Sequence, residues 1–134
     1  MGMLKACQRH LRKWRLSATL YHASAEKLPF EDAVFDVVYH VGGINFFNEK
    51  KEAIVEMIRV AKPGTKLIIV DETEKLAKGT YEKIPLVRSQ YKNRSNMIQA
   101  PIDLIPLKMQ DVQAKEICNG LMYCLRASVF LINW

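Results

Sequence analysis

The 134-residue sequence has little of what builds a metal, disulfide or membrane protein. Its three cysteines, Cys7, Cys118 and Cys124, form an odd set without a Cys-x-x-Cys pair. Neither a disulfide framework nor a thiolate metal site is indicated, and reduced thiols in a cytoplasmic protein are the simplest expectation. The three histidines, His10, His22 and His40, include no His-x-x-x-His pair, which argues against zinc. No apolar run approaches the ~20 residues of a membrane span. Acid is missing before Glu26, while Lys5, Arg9, Arg12, Lys13 and Arg15 come early. A transit peptide shares that bias, but here the segment runs straight into domain-like sequence, so import is not expected. Met1-Gly2 fits the start of a myristoylation signal, yet Ala6 stands where serine or threonine is required.

What is present describes an ordinary globular chain. With 49% hydrophobic and 25% charged residues, residues 1–134 form one domain with material for a real core. The formal charge of +6 is moderate and is compatible with a solvated surface. The organising stretch runs from Phe35 to Phe47. From Phe35 to Val41 it is apolar and β-rich, broken only by Asp36 and His40, and it stops at Gly42-Gly43. Such a short run reads as a strand buried on both faces. Asn48 is placed to cap a helix over residues 49–61, whose stripe of Ala53, Ile54, Met57, Ile58 and Ala61 faces a core. Pro63-Gly64 ends that helix, and Lys66 to Asp71 is a second strand. Strand, crossover helix and strand make a βαβ unit, and ligands of open α/β sheets sit at the carboxyl ends of the strands. Those ends are His40 to Gly43 and Asp71 to Thr73.

Elsewhere the patterns are local. Met3, Leu4, Cys7, Leu11 and Trp14 share one face of an amphipathic helix with a basic opposite face. The favoured reading is a surface helix packed on the sheet; a basic helix for nucleic acid is the rival, and no aromatic residues interleave its charges to stack bases. Residues 18–23 are a short strand candidate, and Pro29 makes the following stretch a loop. Residues 74–100 are polar, locally basic and suited to helix and loop, either as a lid over a substrate or as an exposed connector. Pro101 and Pro106 bracket a loop or short helix. Cys118-Asn119-Gly120 between two β-rich runs signals a C-terminal antiparallel hairpin.

Three pieces taken together carry a resemblance: Ala25-Glu26-Lys27-Leu28-Pro29-Phe30, then Phe35-Asp36-Val37-Val38, then Arg59 to Gly64 leading into Lys66 to Val70. Their order and spacing resemble the class I S-adenosylmethionine-dependent methyltransferases, in the small-molecule branch that includes the ubiquinone/menaquinone C-methyltransferases. The resemblance implies an α/β, Rossmann-like sheet of order 3-2-1-4-5-7-6 with flanking helices, S-adenosylmethionine as cofactor, and methyl transfer to a small organic substrate. It also implies roles. Ser24, Ala25 and Glu26 match the loop that contacts the adenine, with Ser24 where an aspartate is usual. His40, Val41 and Gly42 match the strand end beside the methionine moiety. Asp71 matches the end of the fifth strand near the substrate, and His40 or Asp71 is placed to act as a general base for an enol or phenol. The Asn/Asp-Pro-Pro-Tyr/Phe motif of enzymes that methylate nucleic-acid amino groups is absent, so a nucleic-acid substrate is not expected.

In the family a Gly-x-Gly loop on the first strand cradles the methionine part of the cofactor, and an acidic residue ending the second strand binds the ribose. The six glycines here include no Gly-x-Gly, and Met3-Leu4-Lys5 matches the helix after the acidic residue. The expectation is a domain that lacks its first two strands, with weakened cofactor binding. Residues 18–23 and the Phe35 strand then either close up directly, or receive a strand from a second chain or a second copy, or do not fold as the family does. A non-catalytic fragment that serves, if at all, as an interaction domain is the alternative to an enzyme.

Overall fold

The structure is a computed structural model and describes residues 2–92 and 97–130. Helix α1 (Gly2–Trp14) is amphipathic as its spacing predicts, but it buries no residue. Met3 is 88% and Trp14 66% exposed, which corrects the expectation of a helix packed on the sheet. Residues 18–23 form no strand. A strand needs a neighbour to satisfy its backbone groups, and none of the described strands runs beside this segment.

The sheet has four strands. Strand β1 (Val38–Val41) leads through a 3₁₀ turn to helix α2 (Lys50–Val60) and then to β2 (Lys66–Glu72). After β2 come two short helices, α3 (Glu74–Gly79) and α4 (Arg88–Lys92). The hairpin of β3 (Gln110–Ile117) and β4 (Met122–Ser128) closes the chain. The spatial order is β1-β2-β4-β3, with β1 and β2 parallel and the other pairs antiparallel. That order is the 4-5-7-6 run of the sheet the sequence implies. The Asn-Gly hairpin forms as expected, with Asn119 and Gly120 at positive φ.

Side-chain period sets which face is buried. Leu67 and Ile69 of β2, Leu125 and Ala127 of β4, and Ile54, Met57 and Ile58 of α2 pack into one core. All five residues of the predicted helix stripe are buried. Ile105 and Met109 close the same core from the chain that follows α4. The opposite face is open: Tyr39 is 69% and Val41 61% exposed. The expected strand buried on both faces is therefore a shorter one, half-buried on a single face. Phe35 lies outside it and makes only an isolated parallel bridge to Ala61. Helix α2 begins at Lys50 with Glu49 at its cap and no side-chain cap bond; Asn48 lies one residue too far upstream to serve.

Two sequence motifs meet on the outside of α2. The Arg59 guanidinium bonds the Glu56 carboxylate (2.6 Å), Asp32 (2.7 Å) and the carbonyls of Phe30 (2.8 Å) and Leu28 (3.2 Å). Glu56 in turn accepts the Leu28 N–H at 2.8 Å. Hydrogen bonds from Arg59 hold the Glu56 carboxyl down at about 2. This clasp fixes the loop over residues 28–32 to the helix, and the Lys62 N–H to the Phe35 carbonyl (2.9 Å) continues it into β1.

Candidate functional site

Helix stop and strand start bring two chain reversals together at the carboxyl end of β1 and β2. After Val41 the chain turns at Gly42 (φ 76°) and Gly43 (φ 92°), a left-handed conformation that side chains other than glycine adopt at a cost. The turn is held from across the sheet by Asp71. Its Oδ1 accepts the N–H of Gly43 (3.0 Å) and of Glu72 (2.8 Å), and its Oδ2 accepts the N–H of Asn45 (3.2 Å). Asp71 is fully buried. Burial alone would push its carboxyl up, but the hydrogen bonds from Glu72, Gly43 and Asn45 outweigh it and hold the group below the usual carboxylate range.

Glu72 is the other half of an acid pair. Burial first, then the hydrogen bond to Asp71 and the Asp71 charge, push its carboxyl up to about 7. Two adjacent carboxyls thus divide into one that stays ionised and one that holds a proton near neutrality. Glu72 Oε1 accepts the Tyr91 hydroxyl at 3.1 Å, and burial and the Glu72 charge raise that phenol. The Tyr91 ring sits edge-on to Phe46 (4.9 Å) and tilted against Tyr81 (4.6 Å).

Among the described residues, His40 Nε2 is buried near Asp71 without a hydrogen-bond partner, while the buried Asn45 amide and Tyr123 hydroxyl face each other. His40 stands edge-on to Phe47 at 5.2 Å. Burial lowers its pKa, and Asp71 and the Gly42 backbone only partly offset that, so the ring is neutral at pH 7. Tyr123 pairs with Asp71 across the β2–β4 ladder. Beside this group opens a cleft of about 880 Å³ whose lining includes Asn45, Phe46, Lys50, Gln90, Ile98 and Leu104. That volume is within the range of small-molecule sites.

Of the residues singled out in the sequence, His40, Val41, Gly42 and Asp71 come together here. Ser24, Ala25 and Glu26 form a separate turn. Ser24 bridges to Lys27 and its hydroxyl donates to the Glu26 carboxylate, which lowers that carboxyl. Among the described residues no hydrogen bond or ion pair joins this turn to the strand ends. Sequence reasoning passed over Tyr91 and Tyr123 and put Asp71 ahead of Glu72. A tyrosine inside a polar, basic stretch was the available signal for Tyr91.

The family described as "Methyltransferase domain" matches residues 1–69, half of the chain. The chain belongs to that family. Over 49 residues it is 47% identical to the ubiquinone/menaquinone biosynthesis C-methyltransferase UbiE of Stutzerimonas stutzeri, covering 37% of this chain and 19% of that protein. Over 71 residues it is 39% identical to the demethylmenaquinone methyltransferase of Renibacterium salmoninarum, covering 53% of this chain and 28% of that protein. The matched stretch thus spans less than a third of either relative. Among solved structures, a Pyrococcus horikoshii protein superposes with a TM-score of 0.73 at 20% identity, covering 96% of this chain and 67% of that one. A SAM dependent methyltransferase from Aquifex aeolicus gives 0.62 at 15% identity, covering 95% and 63%. These superpositions establish the Rossmann-like fold of this methyltransferase domain. No helix among the described residues is long and apolar enough to cross a membrane.

Proposed function

We propose that this chain forms the acceptor side of an S-adenosylmethionine-dependent methyltransferase that acts on a small organic substrate. The observation that supports it most is the coincidence of the family match with a cleft walled in part by Phe46 and Phe47 and a proton-holding acid pair at the carboxyl ends of two parallel strands. The cofactor supplies an already activated methyl group, so the protein's work is to place the acceptor in line and take up its proton. Phe46 and its neighbours bind the acceptor in the cleft. Neutral His40 is the base this reading assigns, although its Nε2 is buried beside the cleft rather than lining it, and Asp71 holds the turn that carries Asn45 and Phe46 of the cleft wall.

The fit to the cofactor is one-sided. A Cβ built on Gly42 or Gly43 meets nothing within 4 Å, so a ligand has open access to this backbone. The Glu26 carboxylate, however, is engaged by Ser24, and the six glycines contain no Gly-x-Gly. Other residues, of this protein or of a second chain, must supply the remaining contacts. A second reading, a non-catalytic interaction domain, is favoured by the exposed Tyr39 and Val41 on the open sheet face.

Calorimetric titration with S-adenosylmethionine separates the two. The expected result is weak binding by the chain alone and at least roughly tenfold tighter binding, about 1.4 kcal/mol, after a glycine-loop half from a relative is appended. Binding by the chain alone as tight as that of the completed domain refutes the one-sided site. No binding by either folded protein refutes the enzyme reading.

A further inference from the structure

We propose that Glu72 is a positioning residue for the acceptor cleft: it holds Tyr91, Tyr91 holds the aromatic wall at Phe46, and the wall is set by whether Glu72 carries a proton. The inference rests on the reading of the cleft as the acceptor site, and its geometry stands apart from any cofactor. Glu72 lies at the end of β2, buried to all but 6% of its surface. Among the described residues, the one hydrogen bond its side chain makes off its own strand runs to the Tyr91 hydroxyl at 3.1 Å. Tyr91 is carried on α4, which buries none of its residues. The contacts of Tyr91 with Glu72, Phe46 and Tyr81 therefore supply much of what anchors that helix. Phe46 lines the cleft, and the Asn45 N–H beside it is bound to Asp71.

The groups that act on Glu72 are Asp71 on its own strand, Tyr91 from α4 and Tyr123 from β4. His40 from β1 acts on Asp71 in turn, and Tyr81 on Tyr91. At neutral pH Asp71 is anionic, and His40, Tyr91 and Tyr123 are neutral. When Glu72 is protonated, its O–H donates to the Asp71 carboxylate and Tyr91 meets a neutral acceptor. When Glu72 is ionised, Tyr91 donates to a carboxylate, and such charge-assisted bonds are roughly twice as strong. The grip on α4 therefore tightens as the pH rises through about 7.

Hydrogen exchange of the full chain by mass spectrometry, corrected for intrinsic rates, tests this at pH 6 and pH 8. Relative to core peptides of α2 and β4, whose protection follows the overall stability, peptides covering residues 44–47 and 81–92 should gain protection at pH 8, on the order of fivefold. In Glu72→Gln the protection should not change with pH. Tyr91→Phe keeps the ring contacts but loses the hydroxyl, and should also be flat, with peptides of β2 unaffected. A pH response that persists in either variant, or is missing from the unmodified protein, overturns the proposal. Because the readout needs no cofactor, failure of S-adenosylmethionine binding leaves it standing, and the two ideas fail separately.

Discussion

Replacing Glu72 with glutamine should make the protein more stable at alkaline pH, although it deletes a charge at the centre of the candidate site. The Glu72 carboxyl moves from 4.5 to about 7 on folding. A raised carboxyl contributes stability that is fully present below its unfolded value and is lost as the pH climbs through the folded one. The shift corresponds to about 3 kcal/mol between pH 4 and pH 8. Glutamine copies the protonated acid: its amide donates to Asp71 and its carbonyl accepts from Tyr91. The stability difference between variant and parent should therefore be small at pH 5 and grow to about 2–3 kcal/mol in favour of the variant by pH 8. Urea unfolding followed by circular dichroism at four pH values measures it. Parallel stability curves for the two proteins from pH 5 to pH 8, or a parent that gains on the variant as the pH rises, would refute the reasoning.

Asp71→Asn leaves one acceptor oxygen for three N–H groups and should destabilise by about 1–3 kcal/mol in the same assay. It should also lower the pH at which Glu72 titrates, because the neighbouring charge is gone; carboxyl NMR reads this directly. Gly43→Ala meets no clash, since the space is open, but must adopt φ near 92°, and should lose about 1 kcal/mol through strain alone. Arg59→Met should lower the unfolding midpoint, and combining it with Glu56→Ala should lower it by less than the sum of the two, because both remove the same clasp.

The parts legible in the sequence are those written in short-range pattern. The α2 stripe, the Pro63-Gly64 stop, the strand from Lys66 and the Asn119-Gly120 hairpin depend on neighbours a few residues apart, and they stand where the local pattern puts them. The misread elements depend on partners distant in the chain. Residues 18–23 have strand composition, but composition does not provide the strand to pair with. The Phe35–Val41 run looks doubly buried because valine and tyrosine read the same whether or not something covers them. The acid pair shows the limit within the site itself. Asp71 and Glu72 are adjacent and chemically alike; only the turn at Gly43 and Asn45, folded over one of them, separates a structural carboxylate from a titrating one.

The Arg59 clasp bears on how such domains are recognised at all. The two segments that most plainly carry the family likeness, residues 25–30 and 59–64, are the two halves of one mechanical fastening on the back of α2, remote in role from any methyl group. Their spacing is set by the reach of a guanidinium to two carbonyls and two carboxylates. A chain can keep the whole fastening, and be found by it, whether or not it retains a single residue that touches a cofactor.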